Sequence, residues 1–451
     1  MRTVRCQLKY WFGSLENVVE QMKRIFENES FRRYFLNSSW MLAEQVLRIV
    51  SGVLVGIYIA RYLGPEQFGV LSYTLAIVAF FLAITKLGMD ALLVRELVSE
   101  PVRQAQFMGT AFWLMGFAAL LCYGIASVGV YFLEEANHIR LYVLIVSAST
   151  FFSSFLVVDY CFQSQLKAKY SAICKFGALL IMSILKLGLI SAEAELIWFV
   201  VAALLDNVIV ALLFVLALAK LQDLSFLKFF RWELAGALLK SAWPMVLTAV
   251  AALIYMRIDQ VMIRNMLGLH EVGIYSAAAK IYESWIVLPY IISVSLLPAI
   301  VKLKQGSVAD YQRRLTQLFR LVIWMSVLVA IVVSIVSEPL MVIAFGEAYR
   351  ESASVVSIVM WTAVFASMGS ISARYFNVER MEKKIALRTA LAALVNIGLN
   401  LVLIPRYGIN GAAIATLLCT IFANYLMDWF DKDLRDLLAI KHRALFGHPF
   451  K

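Results

Sequence analysis

Apolar residues fill the chain in long blocks that are separated by short polar segments. Each block is long enough to cross a hydrocarbon core of ~30 Å as a helix, which takes about 20 residues. Charged residues and Gly or Pro turns mark the block ends. The pattern predicts an all-α integral membrane protein of about twelve transmembrane helices. The predicted spans cover residues 39–62, 68–92, 106–132, 141–163, 171–191, 196–219, 243–266, 272–300, 321–345, 352–377, 385–405 and 409–430.

The composition fits a bilayer rather than water as the solvent of these helices. Hydrophobic residues make up 62% of the chain and charged residues 16%, whereas soluble domains average about 45–50% and about 25%. A soluble fold could not hide that much apolar surface, so this class is excluded. The five cysteines have no paired spacing, so neither a disulfide framework nor a metal site is predicted.

The N-terminal segment 1–38 is polar and mixed in charge. It lacks the apolar core and small-residue cleavage site of a secretory signal, so the first span is predicted to be an uncleaved anchor. Apolar residues from Leu15 to Phe26 recur at helical spacing. Two interpretations stay open for this segment, which are an interfacial helix on the membrane and a solvated tail.

Basic residues alternate with the predicted spans. About 28 of them fall in the segments on one side of the membrane and about 3 on the other. The positive-inside rule assigns the basic side to the cytoplasm, so both termini are predicted to be cytoplasmic and the number of spans to be even. Anionic lipid headgroups next to these segments explain the net charge of +11. No nucleic-acid partner is expected.

One motif occurs twice. Residues 63–72, LGPEQFGVLS, resemble residues 267–276, LGLHEVGIYS, and residues 162–169 are more weakly similar to 376–383. Six spans per repeat predict two halves related by an axis along the membrane normal, which is typical of transporters. The predicted organisation is a cytoplasmic N-terminal segment (1–38), a first half (39–220), a cytoplasmic linker (221–240), a second half (241–430) and a cytoplasmic tail (431–451).

Three motifs carry a family resemblance. They are ARYLGPEQFG at 60–69, RIDQ at 257–260 running into the second repeat, and YGINGAA at 407–413. Together they resemble the polysaccharide-biosynthesis flippases, the O-antigen (Wzx-type) branch of the MATE/MOP transporter superfamily. The resemblance covers nearly the whole chain after residue 38.

The resemblance implies a V-shaped pair of six-helix lobes around a hydrophilic, often cationic cavity. By alternating access, such a protein moves undecaprenyl-diphosphate-linked oligosaccharide repeat units across the bacterial inner membrane, for O-antigen or exopolysaccharide assembly. The resemblance also implies coupling to H+ or Na+, and a polysaccharide polymerase and a chain-length regulator as partners. No other cofactor is expected.

Charged residues inside the spans are the candidate site, because an unpaired charge at hydrocarbon depth costs several kcal/mol. From the helical rise, Arg257 and Asp259 in the seventh span lie at the same depth as Lys280 and Glu283 in the eighth. Lys280 and Glu283 are three residues apart and can form a local pair. The four residues are predicted either to line the cavity or to form a structural ion-pair network.

Other intramembrane charges extend this candidate set. Asp206 lies near the midplane, where it could serve proton coupling or pair with Lys186. Basic groups would hold the anionic diphosphate through charge-assisted hydrogen bonds. The predicted substrate-binding residues are Arg48, Arg257, Lys280, Lys186 and Arg61, and the predicted coupling or ion-pair residues are Glu44, Asp206, Asp259 and Glu283.

Two other functions compete with lipid-linked oligosaccharide transport. An ion-coupled drug exporter of the MATE type would share the fold but would favour an acidic cavity for cationic substrates. A membrane enzyme would need catalytic groups in an extracytoplasmic loop, and the predicted loops there are short and hold no nucleophile–base set. We therefore expect a transporter and not an enzyme.

Overall fold

The computed structural model describes residues 29–221, 224–304, 307–379 and 381–447, and these residues contain helices and no strand. The predicted interfacial helix before residue 28 lies outside them. The helices are α1 (Glu29–Thr85), α2 (Met89–Ser99), α3 (Gln104–Leu133), α4 (Asn137–Ser147), α5 (Leu156–Ser164), α6 (Ala168–Ser191), α7 (Leu196–Leu221), α8 (Trp232–Met266), α9 (Leu269–Lys304), α10 (Val308–Ile335), α11 (Ser337–Phe345), α12 (Ser352–Val378), α13 (Glu382–Ile421) and α14 (Arg435–Phe446).

Nine segments of the described chain are long and apolar enough to cross a bilayer. Two of them, Ser39–Ser99 and Lys384–Phe430, each contain two predicted spans. The chain turns inside these segments at Gly64 (φ 71°) and Gly408 (φ 58°), in a region of backbone space that favours glycine. The class of multi-pass membrane protein is confirmed, while the number twelve and the orientation stay predictions.

The second predicted span, 68–92, is interrupted. After Thr85 the chain makes a turn in which Leu87 (φ 51°) and Gly88 (φ 61°) are both left-handed, and α2 then continues to Ser99. A side chain at residue 88 would lie only 2.6 Å from the Cβ of Met245 in α8, so glycine is required by both conformation and space. The apolar pattern does not reveal this break because it continues on both sides of it.

One helix crosses the predicted boundary between the two halves. The helix α8 begins at Trp232, inside the segment 221–240 that was assigned as a linker. Leu234 and Leu238 of α8 belong to a buried apolar cluster with α2, α3 and α5 of the first half. The start of α8 therefore packs as part of the first half, while its later residues contact the second.

The C-terminal segment, predicted to be a cytoplasmic tail, contains helix α14. Helix α14 packs against α10 and α12 through Leu437 and Ile440. Its Lys441 is fully buried, 2.7 Å from Asp428, and Arg388 also pairs with Asp428. Burial lowers the pKa of Lys441 and opposes the effect of its carboxylate partner. These ion pairs fix α14 to the end of the second half.

Candidate functional site

A cavity of about 350 Å³ lies between helix α1, which lines it both before and after the Gly64 turn, and helices α6, α7 and α9. Lys280, on α9 of the second half, extends into it beside Gly56 of α1. A Cβ atom at position 56 would lie 2.8 Å from the Lys280 Nζ, so the missing side chain makes the room for this lysine. The other described lining residues belong to the first half, so Lys280 is what the second half contributes to this cavity.

Of the described residues, three with charged side chains line this cavity, which are Lys186, Asp206 and Lys280. Lys186 Nζ lies 2.7 Å from Asp206 Oδ2, so these two residues form an ion pair. Lys280 has no hydrogen-bond or ion-pair partner among the described residues, although the fields of Glu283, Arg257 and Lys186 reach it. The lining thus holds two bases and one acid, and the unpaired base is the one that crosses between the halves.

The predicted cluster of four residues on the α8–α9 hairpin is divided by the structure. Arg257 Nη2 lies 3.0 Å from Glu283 Oε1, so Glu283 pairs across the hairpin and not with Lys280 as its spacing allowed. Asp259 points the other way and is buried inside the second half. The shared depth of these residues along the helix axes was predictable from the sequence. Their neighbours depend on how each helix is rotated about its axis.

Asp259 is surrounded by neutral donors. Tyr275 Oη donates to it at 2.8 Å, Asn400 Nδ2 at 2.6 Å and Thr416 Oγ1 at 2.7 Å. No base pairs with this carboxylate in the part of the chain that the structure describes. The Asn400 amide also donates to Asn396, and the buried Oδ1 of Asn400 has no donor. A buried charge compensated only by dipoles is costly, so this place suits a proton or a small cation.

The remaining predicted residues lie away from the cavity lining. Arg48 pairs with Glu44 at 3.2 Å, and the Arg48 side chain is 61% exposed. Arg61 donates to the carbonyl of Ile343 in α11 at 3.3 Å, so it bridges the two halves near the Gly64 turn. Arg61 is therefore placed among the contacts that join the halves.

The two copies of the repeated motif pack against each other. A Cβ atom on Gly69 would lie 2.8 Å from the Leu269 carbonyl carbon, and one on Gly273 would lie 2.7 Å from the Pro65 carbonyl carbon. Pro65 and Leu269 are equivalent positions of the motif, as are the two glycines. The contact is thus reciprocal, as expected where two related surfaces meet at a twofold axis.

Polar contacts surround this crossing and also join the halves. Arg264 of α8 lies 2.5 Å from Glu134, which follows α3 and is 5% exposed. The Tyr349 hydroxyl donates to the Ala60 carbonyl at 2.7 Å. We call this set of contacts, together with Gly69 and Gly273, the Gly64-end seal.

Several of these residues were not predicted. The predicted spans place Glu134 in a loop and Arg264 at a helix end, where charges are ordinary. The partners of Asp259 are uncharged, so the positions of intramembrane charges in the sequence do not indicate them. The one signal in the sequence for the seal was the repeated motif itself, whose glycines allow close approach. No cluster of His, Cys, Asp or Glu able to hold a metal is found among the described residues.

Comparisons with known proteins agree with this architecture. The model of the family described as polysaccharide biosynthesis protein matches residues 36–304. No curated protein matches the chain. The structure titled lipid II flippase MurJ, inward closed conformation, is 16% identical with a TM-score of 0.70, over 91% of each chain.

Two structures of a multidrug resistance MATE family transporter of the MOP superfamily also match. The inward-facing one is 13% identical with a TM-score of 0.67, over 87% of this chain and 95% of its own. The outward-facing one is 14% identical with a TM-score of 0.58, over 90% of this chain and 95% of its own. These similarities confirm the predicted MATE/MOP-like fold.

Proposed function

Because the chain belongs to the polysaccharide biosynthesis protein family, we propose that it is a flippase for undecaprenyl-diphosphate-linked oligosaccharide. The predicted setting is the bacterial inner membrane, with both termini in the cytoplasm and O-antigen or exopolysaccharide as the product pathway. The lipid tail can stay in the bilayer while the headgroup passes between the halves. A polysaccharide polymerase and a chain-length regulator are the proposed partners that use the product.

The position of Lys280 carries this proposal. Its ammonium enters a cavity formed largely by the first half, and no carboxylate pairs with it among the described residues. An unpaired cation at hydrocarbon depth is a functional candidate by default. A diphosphate would supply the missing partner through charge-assisted hydrogen bonds. Since Lys280 belongs to the second half, binding there would involve both halves at once.

A complementation assay tests the proposal. Deletion of the gene should leave lipid-linked repeat units on the cytoplasmic face of the membrane, and the wild-type chain should restore surface glycan. Lys280→Gln should fail to restore it at normal expression, whereas Lys280→Arg should keep part of the activity. Lys240→Gln, which changes an exposed lysine of α8 outside the cavity, is the matched control. Full glycan in the Lys280→Gln strain would refute the assignment.

Asp259 is our proposed coupling residue. Its carboxylate, the orphan oxygen of Asn400, the oxygen of Asn396 and the Thr416 hydroxyl are oxygen ligands of the kind that hard cations prefer. One carboxylate matches one monovalent charge, which fits either Na+ or H+. Asp206 is a weaker candidate because Lys186 already balances its charge.

Ion binding can be measured on the purified protein. Asp259→Asn should abolish saturable binding of ²²Na+, while Asp206→Asn, the matched control, should retain it. If transport needs a proton gradient and Asp259 but no sodium, the site serves H+. Unchanged binding and unchanged ion dependence in Asp259→Asn would exclude this residue.

Drug export of the MATE type is the second candidate, because MATE structures share the fold. The charge of the cavity distinguishes the two functions. Two lysines and one aspartate favour an anionic ligand over a cationic drug. Resistance to cationic drugs on expression, without any effect on surface glycan, would favour export.

A further inference from the structure

The cavity-lining faces of three helical segments, two of α1 and one of α6, continue for one more turn away from the Gly64 end, and each places a base there. On α1, the face that carries Ser51 and Gly52 continues to Arg48, and on α6 the face of Leu179 continues to Lys175. The part of α1 that follows Gly64 lines the cavity at Leu82, four residues before Lys86. The sequence pattern alone did not bring these three bases together.

Lys86 differs from the other two bases in having no side-chain partner among the described residues. Arg48 pairs with Glu44, and Lys175 lies 2.7 Å from Asp159. Lys86 is exposed and makes no hydrogen bond or ion pair with a described side chain, although the fields of Asp90, Arg48, Lys175 and Asp159 reach it. Arg48 approaches Glu44 through Nε, and its guanidinium has further donors on the two terminal nitrogens.

A strained turn holds Lys86 in this position. The next two residues, Leu87 and Gly88, are both left-handed, which is costly for leucine. The backbone of Gly88 is packed against Met245 of α8, so neighbouring structure maintains the turn. An uninterrupted helix would rotate the residues that follow and would remove the turn that presents this lysine.

The charge balance differs along the cavity. Near Lys86, the three bases are matched by Glu44, Asp90 and Asp159. Among the described lining residues, Lys186 and Lys280 are accompanied by one acid, Asp206. Lys175 and Lys186 lie on nearly the same face of α6, ~16 Å apart along its axis. An anion would therefore be held weakly at the first cluster and more strongly at the second.

We propose that Lys86 and Arg48 form a first docking site for a diphosphate-bearing anion, separate from the inner site at Lys186 and Lys280. The anion then moves along α6 from the neutral cluster to the positive one. A weak outer site suits this role because a ligand must leave it to proceed. The inference rests on the proposed function and adds a second binding site on the path of the substrate.

Transport kinetics in proteoliposomes test the docking site with a polyprenyl-diphosphate-linked sugar as the probe. Lys86→Gln should raise KM by about ten-fold, the loss of one charge-assisted contact, and leave kcat within about two-fold of wild type. Lys86→Arg should restore KM, and Lys240→Gln should behave as wild type. Lys280→Gln should lower kcat, because the inner site is needed after docking.

Binding of inorganic diphosphate distinguishes a free anion from a lipid headgroup. If Lys86→Gln weakens the binding of both inorganic diphosphate and the lipid-linked probe, the site binds the diphosphate group itself. If only the lipid-linked probe is affected, the site needs the membrane-bound ligand, and the docking role still holds. Wild-type transport with unchanged KM in Lys86→Gln overturns the docking site but not the proposed function. Absence of transport by the wild type overturns both.

Discussion

The seal at the Gly64 end can be tested by adding one methyl group. Gly69→Ala and Gly273→Ala each place a Cβ atom against the backbone of the opposite half, with carbonyl carbons at 2.8 Å and 2.7 Å. Backbone atoms cannot swing aside as a flexible side chain does. The substitution therefore acts on the conformation in which the two motifs cross, and not on the folding of either half alone.

The size of the effect follows from the overlap. Nonbonded carbon atoms are normally ~3.5–4.0 Å apart, and the carbonyl oxygens of Leu269 and Pro65 would lie closer to the added Cβ atoms than the carbons do. The crossing helices must therefore separate by at least roughly 1 Å. Overpacking of this kind costs about 1–3 kcal/mol. If the strain is released when the two halves separate at the Gly64 end, the substitution favours molecules in which the seal contacts are broken. The ratio of molecules with the seal intact to those with it broken then falls by about 5- to 150-fold. The double variant should shift the ratio at least as far as either single one.

Distances between two spin labels, measured by electron–electron double resonance, report this ratio. Labels at Glu193 and Glu351, exposed residues near the Gly64 end in the first and second half, should show a longer-distance population in both alanine variants. The native cysteines must first be replaced. Gly129→Ala is the control, because a Cβ there meets nothing within 4 Å. Unchanged distances in folded Gly69→Ala and Gly273→Ala would refute the role of the crossing.

Three further predictions concern charge. Glu134→Gln removes the ion pair to Arg264 and should populate the longer spin distance, with about 1–3 kcal/mol lost from the sealed state; an unshifted distribution would argue against this contact. Asp428→Asn leaves two buried bases uncompensated and should cost about 3–5 kcal/mol, measured as a lower Tm in detergent; an unchanged Tm would show no net stabilisation. The Arg350 guanidinium donates a hydrogen bond that lowers the pKa of Glu347 below 4.5. That contact is present above pH 4.5 and is lost as the pH falls through the lowered pKa, so Arg350→Gln should raise the carboxyl pKa in a ¹³C NMR titration.

The sequence by itself determined the class of fold, since the length of an apolar helix that crosses a bilayer is fixed by its rise per residue. It also indicated the turns at Gly64 and Gly408 and the family. The repeated motif predicted two related halves, and the reciprocal packing of Gly69 and Gly273 agrees with that prediction. Spacing along one helix is local information, which is why these features were predictable.

Only the tertiary structure decided which charges meet. Arg257, Asp259 and Lys280 share a depth, yet one pairs across a hairpin, one is buried among neutral donors and one enters the cavity of the opposite half. The break that presents Lys86 was equally hidden from the apolar pattern. Depth follows from counting residues, but the direction of a side chain depends on how each helix is rotated against its neighbours, and that is set by packing between segments far apart in the chain.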